Sequence, residues 1–334
     1  MFAVVMTRKW RFLLLALVLL ALAWQLLRVF IPEQERALRT QVRESLVETF
    51  PEMANDAEHR FGLRRLSEAQ PGRAEVVLVH GLDDPGLVWM NLVPALQAAG
   101  HGVSLVDYPN DQPIRASAAF LRDQLVGLAA SVEQVQIVAH SMGGLVSREL
   151  LTSPDLACEP PVCRMPAIRR LIMVGTPNHG SDMARIRGLA EVREQLSRLI
   201  AGEAGWLDWV FDGAGEAGLD LLPGSEFLRT LNARPHPAHT ELLVIAGIIG
   251  KQQIAAIEQL FTEQGEPPFN GLSEAGNHWG DGLVSLQSAQ LPAVPLLQVP
   301  GGHLTMIRNF STESERVPPA VPLILQLLEG GGRR

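Results

Sequence analysis

Short, nearly unbroken apolar runs alternate with longer amphipathic stretches along most of the chain after Arg73. Val76–Val79, Val103–Val106, Val135–Ala139, Leu171–Val174, Leu242–Ala246 and Leu296–Val299 are each four or five residues long. Runs of that length with little polar alternation predict strands buried on both faces. Between them, Asn91–Ala99, Ile114–Ala130 and Met142–Leu151 carry apolar residues at helical spacing, and Gly100 closes the first. Strands alternating with helices of this length predict an α/β architecture: a mostly parallel sheet with helices on both faces. The rhythm breaks once, where the insertion Gly180–Thr240 separates the fourth and fifth of these strands. It holds the apolar cluster Trp206, Leu207, Trp209, Val210 and Phe211, and is expected to form a lid-like cap. Trp206, Trp209 and Phe211 are its expected substrate-facing residues.

The start of the chain has a different pattern. Phe12–Ile31 is apolar except for Gln25 and Arg28, and Arg8, Lys9 and Arg11 precede it. As a helix rising about 1.5 Å per residue it reaches about 30 Å, one bilayer core. Two readings stand. A signal peptide would use Phe12–Leu20 as its apolar region and Ala21-Leu22-Ala23 as its cleavage site. An uncleaved anchor would use the whole stretch, and the continuation through Leu26, Leu27, Val29, Phe30 and Ile31 favours it. The basic head predicts that the chain beyond the apolar stretch leaves the cytoplasm. The expected location is the cytoplasmic membrane, single-pass, with the main domain on the extracytoplasmic side, or the periplasm or exterior after cleavage. Glu33–Phe50 reads as a membrane-proximal helix ended by Pro51, and Asp56–Arg73 as polar, irregular chain. The expected organisation is therefore 1–31 anchor or signal, 32–73 membrane-proximal helix and linker, and 74–334 main domain.

Composition narrows the class. Hydrophobic residues at 47% and charged residues at 19% are incompatible with a disordered chain. A net charge of -8 argues against a nucleic-acid partner, which needs a basic face. Cys158 and Cys163, in a Pro-rich loop, are too few for a disulfide scaffold or a four-Cys zinc site; a local disulfide and two free thiols both fit. Asp83 and Asp84 read as a solvated turn, and the sequence has no His-x-x-x-His or Cys-x-x-Cys pair, so no metal is expected. Nothing in the sequence indicates a protein partner.

The strongest chemical signal is Ala139-His140-Ser141-Met142-Gly143-Gly144, where a predicted strand runs straight into a predicted helix. Such a turn holds a serine in a strained conformation and projects its hydroxyl from the sheet edge. Small residues are needed two before and two after it; Ala139 stands where Gly is usual, and Gly143 fits. A serine hydroxyl needs a base, and the base an orienting acid. With the order Ser, acid, His, the candidates are Asp281, in Gly280-Asp281-Gly282-Leu283-Val284, and His303, in Gly301-Gly302-His303-Leu304. Asp208, Asp212 and Asp220 are weaker acids, and His278 is a reserve base. The N–H groups of Leu82 and Met142 are the expected oxyanion donors. His80, His140 and His179 read as packing or hydrogen-bonding residues.

Residues 74 to about 310 resemble an α/β-hydrolase of the lipase and esterase type. The resemblance rests on Val79-His80-Gly81-Leu82, the Ser141 turn, Gly175-Thr176-Pro177-Asn178-His179-Gly180-Ser181, Asp281-Gly282-Leu283-Val284 and His303. The Gly-Thr-Pro and His-Gly-Ser pieces are similar to bacterial triacylglycerol lipases and to lipid-anchor inositol deacylases. That resemblance implies a cofactor-free Ser-Asp-His triad acting on carboxylic esters, with a lipid or other ester as substrate and often a mobile lid. The calcium ion of some bacterial lipases does not carry over, because no second carboxylate is suitably placed. An acyltransferase using the same acyl-enzyme and a non-catalytic, lipid-binding envelope module are the alternatives.

Overall fold

Seven strands form one sheet: β1 (Gly62–Ser67), β2 (Glu75–Val79), β3 (Gly102–Asp107), β4 (Gln134–His140), β5 (Ala167–Val174), β6 (Glu241–Ile248) and β7 (Leu296–Pro300). Their spatial order is β1-β3-β2-β4-β5-β6-β7; β1 is antiparallel to β3 and every other neighbour is parallel. The computed structural model describes residues 61–82, 86–110, 112–157, 164–181, 216–250 and 280–329. Among them the helices are α1 (Leu92–Ala98), α2 (Ile114–Leu128), α3 (Met142–Thr152), α4 (Glu216–Asp220), α5 (Glu226–Ala233), α6 (Leu286–Ala289) and α7 (Ala320–Glu329).

The core explains why the strands read as unbroken apolar runs. Successive strand side chains point to opposite faces. Val77 and Val79 of β2 pack with Leu121 and Leu125 of α2 and with Met142, Leu145 and Val146 of α3. Val76 and Leu78, one residue out of phase, pack on the other face with Leu92 and Leu96 of α1 and Ile324 and Leu328 of α7. Both phases of the strand are buried, at about 1.5–3 kcal/mol for each large aliphatic side chain.

All six expected strands are present. β1, by contrast, lies where polar irregular chain was expected. As an edge strand it has one neighbour and no fully buried residue, so its sequence shows no apolar run. Arg65 fastens it, with Nη2 2.5 Å from Glu75 Oε1, and the same carboxylate oxygen accepts the Ala69 N–H at 3.1 Å.

The described part of the insertion, 216–240, belongs to the packed body. Ala217, Leu221, Phe227, Leu228 and Leu231 are buried in the same cluster as α2 and α3. Ser225 caps α5 by accepting the Leu228 N–H at 3.2 Å. Asp220 is no acid for the site: it accepts the Ile114 N–H at 2.9 Å and so caps α2 behind Pro113. Trp206, Trp209, Phe211, Cys158, Cys163, Asp83, Asp84, Asp208, Asp212, His278 and Phe12–Ile31 lie outside the described residues. Among the described residues, no helix is long and apolar enough to cross a membrane, and no group of His, Cys, Asp or Glu side chains is arranged to hold a metal ion.

Asp220→Ala leaves the buried Ile114 N–H without this acceptor. Urea denaturation is expected to show a loss of about 1–3 kcal/mol.

Candidate active site

Ser141 stands between the last residue of β4 and the first of α3, with φ 53° and ψ -126°. A non-glycine residue in that region costs about 1–3 kcal/mol and persists only where its surroundings hold it. Here the Ser141 N–H donates to the Val174 carbonyl at the end of β5, 2.8 Å away. The requirement for a small residue two positions later has a specific origin: a Cβ at Gly143 would fall on the carbonyl oxygens of Val79 and His80. The start of α3 thus presses on the end of β2, a neighbouring strand, rather than on the strand that leads into it.

That pressure brings the loop after β2 to the serine. A methyl on Gly81 would stand 2.8 Å from Ser141 Cβ and 3.4 Å from Oγ. The loop is held by His80, whose Nδ1–H donates to the Gly81 carbonyl at 2.7 Å and whose ring stacks on Tyr108 at 4.5 Å. Tyr108 in turn donates its hydroxyl to the His80 carbonyl at 2.7 Å. Neither the Leu82 nor the Met142 N–H finds an acceptor among the described residues. Leu82 follows the Gly81 that crowds the serine, and Met142 opens a helix whose dipole favours negative charge.

Asp281 and His303 arrive from the far side, from the loops after β6 and β7. His303 Nδ1 donates to Asp281 Oδ2 at 2.8 Å. The other oxygen, Oδ1, accepts the N–H groups of Leu283 and Val284 at 2.9 and 2.8 Å. A backbone bond from the His303 N–H to the Asp281 carbonyl, 3.0 Å, ties the two loops again. The acid is almost sealed, with 1% of its side chain exposed, while the imidazole keeps 10%. A proton on Nδ1 leaves Nε2 as the lone pair of the neutral ring.

The two halves meet at Gly175, which has φ +61°. A Cβ there would stand 2.7 Å from Met306 Cε, 3.1 Å from Asp281 Oδ2 and 3.2 Å from His303 Cε1. Ser141 bonds to the residue immediately before it. Ser141 Oγ and His303 are not hydrogen-bonded to each other; this link is often long in a resting enzyme and tightens with substrate.

Two further groups bear on the site: His140, read from the sequence as a packing or hydrogen-bonding residue, and one that escapes a reading of the sequence. His140, 2% exposed, donates Nε2–H to the His303 carbonyl at 3.1 Å, and their ring centroids are 4.7 Å apart. Burial pushes its pKa well below the ordinary value; His303, Arg308 and His80 push in the same direction, and the bond to the His303 carbonyl opposes them. The second is Arg148 on α3. Its Nη1 and Nη2 donate to Asn178 Oδ1 and Asn232 Oδ1, both at 2.9 Å. Burial lowers this guanidinium to about 10, against the pull of Glu149, so it stays cationic at neutral pH. Neither residue type signals its role when read alone.

A histidine held neutral by burial contributes stability above its unfolded pKa of about 6.5 and loses it as pH falls below that value, because the unfolded chain then takes up the proton. His140 and His101 are both lowered by burial. The melting temperature is expected to fall between about pH 7 and pH 5.5, with a shallower slope in His140→Phe; equal slopes in a thermal-melt series would refute this.

A model of the alpha/beta hydrolase family matches residues 76–309. The mature form of the Bacillus licheniformis lipase BlEst2 superposes with a TM-score of 0.52 at 20% identity, over 80% of this chain and 97% of that one. A metagenomic carboxyl esterase gives 0.50 at 18% identity, over 79% and 77%. The phospholipase PlaB of Legionella pneumophila gives 0.51 at 18%, over 77% and 60%. A search of curated protein sequences gave no significant match. With the family match covering more than half of its length and the sheet order above, the chain belongs to the alpha/beta hydrolase family.

Proposed function

We propose that the protein hydrolyses carboxylic esters through Ser141, His303 and Asp281. The observation that carries this reading is the Asp281–His303 hydrogen bond, set beside a strained serine at one rim of the sheet. His303 Nε2 takes the Ser141 proton as Oγ attacks the ester carbonyl. The oxyanion of the tetrahedral intermediate is held by the Leu82 and Met142 N–H groups. Asp281 keeps the imidazole in the Nδ1–H tautomer and stabilises the imidazolium as it forms. The imidazolium returns its proton to the leaving alcohol, and water, activated by the same ring, then hydrolyses the acyl-enzyme. Family membership supports this hydrolytic chemistry.

The proposed substrate is lipid-like. Three of the structural neighbours are a lipase, a carboxyl esterase and a phospholipase. The basic-then-apolar stretch Arg8–Ile31 supports a location at the cytoplasmic membrane, with the catalytic domain on its extracytoplasmic side.

A fluorophosphonate probe is expected to label the wild type and not Ser141→Ala, with the labelled band in the membrane fraction. Asp281→Asn is expected to lower kcat by about 10³–10⁴-fold through loss of the correct tautomer. Absence of labelling in wild type, beside a control esterase that does label, refutes the enzymatic reading. With p-nitrophenyl esters, decanoate is expected to be cleaved with higher kcat/KM than acetate; preference for acetate refutes the lipid-like substrate alone.

A further inference from the structure

The structure assigns His140 to positioning the catalytic base: its Nε2–H, bonded to the His303 carbonyl, fixes the backbone from which that imidazole hangs. The inference rests on the proposed roles of Ser141 and His303 and adds a residue to them. His140 is the last residue of β4 and immediately precedes the serine, whereas His303 follows β7, three strands away in the sheet. Their side chain-to-backbone bond of 3.1 Å is therefore a direct link between the segment carrying the nucleophile and the loop carrying the base.

The chemistry of the bond fixes its direction. A carbonyl oxygen only accepts, so His140 carries its proton on Nε2, and Nδ1 holds the lone pair. That Nδ1 is buried and has no hydrogen-bond partner among the described residues. The one hydrogen bond the ring makes among them is therefore committed to residue 303. The imidazole is wedged between the edge of Trp89, at a centroid distance of 6.5 Å and 84°, and the His303 ring, tilted at 50°.

Its neutrality matters for the same reason. The charged groups near it are Arg308 and, when protonated, His80 and His303, with Asp281 on the far side of the His303 ring. A second charge at 140 would repel the imidazolium that forms at 303 during attack. The neutral Nε2–H donor holds the loop without that repulsion. Small displacements of a base away from its nucleophile lower kcat by up to about a hundredfold while substrate binding is nearly kept.

Two substitutions separate the hydrogen bond from the packing. His140→Phe keeps a ring against Trp89 and His303 but has no donor. His140→Gln loses the ring but places an amide N–H where Nε2–H was. Steady-state kinetics should show kcat lowered about ten- to a hundredfold in Phe, with KM within about twofold, and restored to within about threefold of wild type in Gln. Wild-type kcat in Phe overturns the inference, as does an equal loss in both variants, which would make the ring a packing element. If the Phe protein does not fold, His140→Met, flexible and without a donor, takes its place under the same criteria. Imidazole 1H–15N spectra supply a readout independent of turnover. Asp281 keeps His303 in the Nδ1–H tautomer in all variants, so the readout is position: the His303 ring resonances are expected to match wild type in Gln and to be shifted and broadened in Phe; resonances in Phe identical to wild type overturn the inference. If wild type shows the expected tautomers yet cleaves no ester, the proposed function fails while the His140–His303 link stands.

Discussion

The site depends on one close approach, at Gly175. The backbone there accepts the Ser141 elbow on one side through Val174 and touches Asp281, His303 and Met306 on the other. A methyl there would press hardest on the end of the Met306 side chain, at 2.7 Å, and crowd Asp281 Oδ2 and His303 Cε1 at 3.1 and 3.2 Å. The residue also sits at positive φ, so two independent constraints select glycine. A catalytic arrangement drawn from three distant stretches of chain tolerates only small errors in position, and contact at van der Waals distance is what removes the slack.

The segment after Gly175 carries that constraint outward. The Asn178 side chain receives Arg148 from α3 and donates Nδ2–H to the Ala289 carbonyl at 2.8 Å. The His179 N–H donates to the Ser288 carbonyl at 3.0 Å, and the Ser181 hydroxyl to the Leu283 carbonyl at 2.6 Å. Asn232 of α5 completes the set, accepting from Arg148 and donating to the Asn178 carbonyl at 2.8 Å. The Asn-His-Gly-Ser residues therefore clasp the loop that presents Asp281 to the helix that begins at the serine. Arg148 organises this clasp as a buried cation facing neutral amides. That arrangement costs desolvation, but it supplies several donors in one rigid plane.

Periodicity and locality decide how much of this is legible in the sequence. β2 to β6 are readable because both of their faces are largely buried, so burial appears as contiguous apolar letters; β7, an edge strand with one buried residue, is readable from Leu296, Leu297 and Val299. β1 is not, because an edge strand half open to solvent leaves a polar pattern, and its Arg65–Glu75 pair joins residues ten apart that have no visible relation in the chain. The Ser141 elbow is readable because its sterics are local: strand, small residue, serine, small residue, helix. Asp281 and His303 stand out by order and Gly-rich setting, and the structure places them 2.8 Å apart. The partnerships of His140 and Arg148 are not readable, since each connects residues whose adjacency exists only after the sheet has formed. The role of Asp220 is hidden for the same reason: a carboxylate capping a helix 106 positions away looks like any turn aspartate until the helix is beside it.

The histidines show how the fold distributes one chemistry among similar letters. His80, His140 and His179 each donate a ring N–H to a backbone carbonyl: those of Gly81, His303 and Gln290. A carbonyl accepts from a neutral imidazole as readily as the ring requires, but it carries no net charge to offset a proton gained on the other nitrogen. Among the described residues, His303 is the histidine within ion-pair distance of a carboxylate. An anion with only 1% of its side chain exposed stabilises a cation at residue 303 far more than a neutral dipole does. The proposed base is thus singled out by what faces it rather than by its own side chain. In the proposed mechanism its neighbour at 140 stays neutral: burial holds that imidazole uncharged, so that the single proton in motion passes between Ser141 and His303.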